Sequence, residues 1–292
     1  MNKFLYHLTY VLVYPLTLLS LRLLYFFSEL LYYIIYYIIR YRRKIVRRNL
    51  TNSFPEKTQK EIISIERKFY RHLCDYFFET IKLLNISDYR IKRHFVFKNE
   101  ELLQYFLKEG KSVILLLGHY GNWEWVTSIT LWVDEKDSVI GQIYRPLKNK
   151  VSDMFFLRLR KRFHSVGFSK YEIYREIVKM RKAGKNWMLG FMSDQKPSPT
   201  NSSITINFLN QETSVLTGTE KIAKSTGAVV CYLDITSPKR SYYEGKIKLI
   251  TETPAETPEN EITEKYMEFL EKTIQRNPAL YLWTHNRWKR KA

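Results

Sequence analysis

Residues 4–21 read FLYHLTYVLVYPLTLLSL, without an acidic side chain, a lysine or an arginine. As a helix at 1.5 Å per residue the run is about 27 Å long, close to the thickness of a bilayer's hydrocarbon core. Pro15 can kink such a helix without breaking it. A cleaved signal peptide fits poorly, because apolar character continues well past the run and no small-residue cleavage site follows.

Residues 22–40 differ in kind. At 100° per residue Arg22, Tyr25, Glu29, Tyr32, Tyr33, Tyr36 and Arg40 share one stripe, and Leu23, Leu24, Phe27, Leu30, Leu31, Ile34, Ile35 and Ile38 lie on the other side. This is an amphipathic helix whose phenolic face suits a headgroup layer, although a core-packing helix has the same period. Arg40, Arg42, Arg43, Lys44, Arg47 and Arg48 follow, a cluster favoured on the cytoplasmic side of a membrane and attractive to anionic lipid. The expected organisation is a membrane anchor over 1–40 (span 4–21, interfacial helix 22–40) and one domain over 41–292. Whether 4–21 spans the bilayer or lies in it stays open.

Beyond the anchor, helical patterns (56–84, 123–132, 149–162, 171–183, 261–275) alternate with strand candidates at 112–117, 139–143, 187–193, 204–209, 228–235 and 246–251. That alternation predicts an α/β layer fold, a central sheet flanked by helices. The 48 Lys+Arg against 29 Asp+Glu leave a charge of +19, a field that favours an anionic partner such as nucleic acid or an anionic membrane surface. Cys74 and Cys231 have no metal-ligand spacing and read as buried free thiols. No G-x-S-x-G elbow, Walker loop or dinucleotide loop occurs.

The chemistry concentrates in Leu117-Gly118-His119-Tyr120-Gly121-Asn122-Trp123-Glu124, after a buried strand and before a helix. Strand-end loops are where α/β folds place their sites. On one continuous helix His119 and Glu124 would diverge. They meet only if His119 sits on the loop and Glu124 in the first helical turn, a bend that Gly118 and Gly121 permit. A carboxylate on one ring nitrogen would leave the other free to take a proton from a substrate hydroxyl. From residue types alone, a structural His and Glu would read the same way.

The H-x4-E motif after an apolar strand resembles that of the lysophospholipid acyltransferase superfamily, and within it the lauroyl/myristoyl transferases of lipid A biosynthesis. YRRKIVRRNL (41–50) with SFP (53–55), GHYGNWEW (118–125), YRPLKN (144–149), GFMSDQ (190–195) and PALYLWTHNRWK (278–289) carry the likeness in order along nearly the whole chain. His285-Asn286-Arg287 and the Lys196-Pro197 after Gln195 depart from the family's pattern. The resemblance implies a single α/β acyltransferase domain with a mixed sheet on the cytoplasmic face of the inner membrane. It would move a fatty acyl chain from an acyl carrier protein thioester to a hydroxyl of an anionic lipid A precursor, with no metal and no cofactor. His119 would be the general base and Glu124 its orienter. Arg145 would face the thioester oxyanion or an acceptor phosphate, unless it forms a surface salt bridge. Asn122, Asp194, Gln195 and Arg287 would line the substrate site. For Asp194 and Gln195 a structural cap, and for Arg287, Lys289 and Arg290 a solvated basic tail, are the competing readings. Helix 149–162 (Lys150, Arg158, Arg160, Lys161, Arg162) is a candidate carrier-docking face. Acylation of another lipid (lysophospholipid, aminolipid or glycolipid) would use the same pair, and a non-catalytic basic membrane-binding protein is the reading from another class. A nucleic-acid partner is not expected, since no nucleic-acid motif is present.

Overall fold

A computed structural model describes residues 2–133, 138–198 and 201–288. Two apolar helices open it. The first, α1 (Asn2–Leu18), ends where the chain turns at Leu19-Ser20, and Ser20 caps α2 (Leu21–Tyr33) by accepting from Leu23 N at 3.3 Å. A π-helical turn, Ile34–Ile39, extends α2. Because of the turn at Ser20, the stretch long and apolar enough to cross a membrane, by length and composition, is Leu21–Ile39 rather than 4–21.

The amphipathic period of 22–40 holds, but its direction is reversed. Tyr32 and Tyr36 are buried, while Phe27, Leu30 and Ile38 are exposed. The inward side chains meet α4 (Gln59–Lys82), which lies beyond α3 (Arg43–Ser53). Tyr25 Oη donates to Glu79 at 2.6 Å, Ser28 Oγ to Asp75 at 2.5 Å and Tyr36 Oη to Glu66 at 2.9 Å. Buried carboxylates need donors, and the phenols supply them without adding charge. Much of the polar stripe expected at the headgroups therefore binds the domain, and much of the apolar stripe faces out, although Leu24 is fully buried and Tyr33 is exposed. Much of the basic cluster also turns inward. Arg43 and Arg47 pair with Glu66, Arg42 donates to Thr284 O at 3.0 Å, and Arg48 reaches Asn286 at 2.5 Å.

After α5 (Asp88–His94) come β1 (Phe95–Lys98), α6 (Glu101–Lys108), β2 (Val113–Leu116), β3 (Val139–Tyr144), α7 (Lys150–Arg160), β4 (Val166–Ser169), α8 (Ile173–Lys182) and β5 (Trp187–Phe191). The hairpin β6 (Ser203–Phe208) and β7 (Gln211–Leu216), then α9 (Gly218–Thr226), β8 (Val229–Lys239), β9 (Tyr242–Thr251) and α10 (Glu261–Arg276) follow. Seven strands form one sheet in the order β1-β9-β8-β2-β5-β3-β4, parallel except for the antiparallel β8–β9 pair. The fold is thus α/β with a mixed sheet flanked by helices. All four β2 side chains are buried, as expected of a central parallel strand covered on both faces.

The strand expected at 204–209 exists as β6 but leaves the sheet. It pairs antiparallel with β7 through a two-residue turn in which Leu209 and Asn210 have φ of 52° and 57°. The helix expected over 123–132 is a 3-10 helix, Trp125–Leu131. The Thr127, Ser128 and Thr130 hydroxyls each donate to the carbonyl three residues back, a local competitor to α-helical bonding. Cys74 and Cys231 are buried free thiols.

Candidate active site

The parallel register of β2 and β5 builds the site. Leu116 lies beside Phe191, and Leu117 N donates to Phe191 O at 3.0 Å, so the two chains leave the sheet together. His119 and Asp194 sit just past these strand ends. A Cβ at Gly118 would stand 2.4 Å from Leu270 Cδ1, so a larger residue there would require the Leu270 side chain on α10 to shift. Gly121 has φ +61°, where L side chains are strained. The carboxy-terminal block fixes the loop from the other side. Leu282 N donates to His119 O and Gly121 N to Leu280 O, both at 3.0 Å.

The placement of His119 on the loop and Glu124 at the start of a helix is as expected, but the hydrogen bond between them is not formed. His119 Nδ1 lies 2.7 Å from Asp194 Oδ1, and the His119 backbone N–H donates to Asp194 Oδ2 at 3.0 Å. Glu124 instead accepts from Arg160 Nε at 2.9 Å and Nη2 at 2.6 Å. The reason is topological: β5 delivers a carboxylate directly beside the histidine, while α7 presents a guanidinium to Glu124. Burial pushes the Asp194 carboxyl up, but the His119 charge, its two hydrogen bonds and the Arg287 charge outweigh burial and hold it at about 2. With Nδ1–H on Asp194, the Nε2 lone pair faces Gln195 Nε2 at 3.2 Å. Trp123 meets the imidazole edge-on at 5.3 Å and stacks on Tyr76 at 4.2 Å.

Asn122 does not line the substrate space. It is fully buried, donating to Glu79 Oε2 at 2.8 Å and accepting from Trp125 N at 3.2 Å. Gln195 lies on His119, as described, and Arg145 is exposed at the cavity wall. Arg287 is not a solvated tail. Only 5% of it is exposed, its guanidinium lies 5.5 Å over the Phe208 ring, and none of its three side-chain nitrogens has a hydrogen-bond partner among the described residues. Lys289 and Arg290 lie outside the described residues. On the basic helix, Arg160 is taken by Glu124, Arg162 donates to Ile86 O at 3.1 Å, and Arg158 stacks over Tyr10 of α1 at 4.4 Å.

A cavity of about 210 Å³ runs from His119 down one face of the sheet, beneath the 3-10 helix. Leu115, Leu117, Ile140, Met188, Gly190 and Ile129 line its depth, while Glu124, Arg145 and Arg160 supply the charges in its wall. The spacing of residues in the motif did not reveal Asp194 as the partner of His119, nor Arg160 as the partner of Glu124. A signal for the former was present: two apolar strands, each ending in a polar residue that can work as a pair only if the strands are neighbours and parallel.

A histidine held by a buried aspartate at the mouth of an apolar cavity, in a mixed α/β sheet, is an arrangement suited to acyl transfer or hydrolysis of a greasy substrate. The model of the bacterial lipid A biosynthesis acyltransferase family matches residues 2–290, and the chain belongs to that family of acyltransferases. It is similar to the lipid A biosynthesis palmitoleoyltransferase of Escherichia coli (strain K12), 23% identical over 253 residues that cover 86% of this chain and 80% of the relative. The lipid A biosynthesis acyltransferase of Shigella flexneri matches with the same identity and coverage.

Proposed function

We propose that the enzyme moves a fatty acyl chain from the thioester of acyl carrier protein to a hydroxyl of a lipid A precursor, directly and without an acyl-enzyme. The observation that carries this reading is the His119–Asp194 pair opening onto the apolar cavity. The acceptor hydroxyl replaces Gln195 at His119 Nε2, which removes the proton as the oxygen attacks the thioester carbon. Asp194 fixes the tautomer and balances the imidazolium that forms. Arg145, exposed in the cavity wall and not committed to a carboxylate there, favours the negative charge on the tetrahedral carbonyl oxygen. The intermediate collapses by breaking the C–S bond, and the imidazolium returns its proton to the sulfur, giving ester and thiol. No metal or cofactor is called for in this sequence of steps.

The acyl chain occupies the cavity. The exposed apolar side chains of α1 and α2 rest in the cytoplasmic leaflet of the inner membrane, where the acceptor resides. The net charge of +19 steers both the acidic carrier protein and the phosphorylated acceptor. The test is mass spectrometry of membrane lipids from cells with and without the protein, beside transfer by the purified enzyme from acyl carrier protein and coenzyme A donors. A lipid A species heavier by one acyl group, formed from the carrier donor, supports the reading. Acylation of a glycerophospholipid or aminolipid alone assigns another acceptor.

A further inference from the structure

A glycine in the middle of a central strand is costly, because it gives up backbone entropy and packs nothing. Two of the sheet's glycines lie on the neighbouring strands β3 and β5, one register step apart. Gly141 of β3 is explained by the fold itself, since a Cβ there would stand 2.4 Å from Val166 O. Gly190 of β5 has no such reason. Its nearest neighbours to an added Cβ are Leu117 Cδ2 at 3.7 Å and Gln142 Cβ at 3.8 Å, ordinary contact distances. Its backbone φ is not in the left-handed region.

What lies over Gly190 is the cavity. Side chains at alternate positions of a strand share a face. On β5 and its continuation, Met188, Gly190 and Met192 all line the cavity, with Leu115 and Gln142 level with Gly190 on either side. Gly190 is partly accessible, although Trp187, Met188, Leu189 and Phe191 around it are buried. It pairs with Leu115, one residue before the end of β2 and four residues before His119 in sequence. The cavity continues past it to Met188 and Ile140.

We infer that Gly190 sets the length of acyl chain the enzyme accepts, by leaving open a passage that any side chain would close. The inference rests on the cavity being the acyl site. A long chain passes over Gly190 toward Met188, and a chain that ends before this level never meets it. A methyl at 190 narrows the passage, and an isopropyl group blocks it. In a hydrophobic pocket one methylene shifts selectivity roughly 10–200-fold, so the ratio of long-chain to short-chain transfer should fall about tenfold or more in Gly190→Val and less in Gly190→Ala.

The experiment uses the full-length enzyme in detergent with mixed acyl carrier protein thioesters of graded chain length, reading the products by mass spectrometry. A second, activity-independent measurement follows the thermal midpoint with free fatty acids of the same lengths. The expected result is that Gly190→Val keeps short-chain transfer and short-chain stabilisation but loses both for long chains. Gly190→Ala, whose Cβ has room, folds as the wild type does and shifts the same way. An unchanged length profile in both variants overturns the inference, as does a loss that is uniform across lengths. If instead the wild type binds graded fatty acids but transfers none to a lipid A precursor, the proposed acceptor fails while the length gate still stands or falls on the binding series.

Discussion

Asp194 and Glu79 are carboxylates of equal burial that approach the same catalytic loop from opposite sides, and they hold opposite relations to charge. Asp194 accepts two hydrogen bonds, both from His119, and Arg287 adds a nearby positive charge. Its carboxyl sits at about 2. Glu79 accepts three, from Tyr25, Asn122 and Tyr243, all neutral donors. Burial and the nearby Asp75 charge push its carboxyl up to about 7, and these bonds only limit the rise. The number of hydrogen bonds therefore does not decide ionisation in a dry interior; the charges around the carboxylate do. At the strand ends the protein holds a permanent anion that orients the His119 ring. Under α2 it holds a group that can be neutral, tying that helix to the loop that carries His119.

The largest effect expected from breaking this arrangement is on turnover. His119→Ala and Asp194→Ala should each lower acyl transfer roughly 10²–10⁴-fold, the range for general-base catalysis. Combined, they should cost little more than either alone, because they act as a unit. A double-mutant cycle separates the two carboxylates near the histidine. His119 and Asp194 should show strong coupling in transfer rate. His119 and Glu124 should show little, and Glu124→Ala should instead lower stability by about 3–5 kcal/mol by leaving Arg160 without its buried partner. Strong coupling of His119 to Glu124, with none to Asp194, would reverse the assignment.

The next effect is on stability against pH. Because the native Glu79 carboxyl sits near 7 and its ordinary value is 4.5, the folded state holds a proton that the unfolded chain has released across that window. Stability from this group therefore falls as pH rises from about 4.5 to 7 and stays at its lower value above, a change of about 3 kcal/mol. Glu79→Gln removes the titration. Denaturant midpoints of the purified enzyme should show the variant gaining on the wild type by about that amount between pH 5 and 8. Parallel pH curves for the two proteins would mean that Glu79 stays ionised throughout.

The same contrast explains what the chain discloses before its structure is known. The α/β alternation, the five sheet strands with strong apolar runs, and the loop carrying His119 were legible because they are local: period, propensity and two glycines. β1 (FVFK) and β4 (VGFS) were not, being four residues each with no longer apolar run around them, and β6 read as a sheet strand because nothing in its own residues says which partner it takes. The partner of His119 was hidden for the same reason. Motif spacing pointed to Glu124, five residues away, whereas strand register brings Asp194 from 75 residues away. The phenolic stripe of α2 was read correctly as a stripe and given the wrong neighbour, because Glu66, Asp75 and Glu79 look like an ordinary solvated helix face until α2 covers them.

The smallest effect sharpens the comparison by moving a carboxylate of the same interface into water. Glu29 of α2 accepts from Arg71 Nε of α4 at 2.9 Å, a geometry as good as those at Asp194. Yet its side chain is 34% exposed and that of Arg71 46%. Solvent screens such a pair and two long side chains lose freedom in making it, so exposed bridges contribute about 0.2–1 kcal/mol. Glu29→Gln should shift the denaturation midpoint by no more than that. Salt should erase even this, since the screening length falls from about 10 Å at 0.1 M to about 3 Å at 1 M. Burial protects the Glu79 contacts from the same screening, so the pH response of the wild type should survive 1 M salt. If salt abolished the Glu79 response and left the Glu29 contribution untouched, burial would not be what separates the two carboxylates, and the contrast between Asp194 and Glu79 would lose its physical basis.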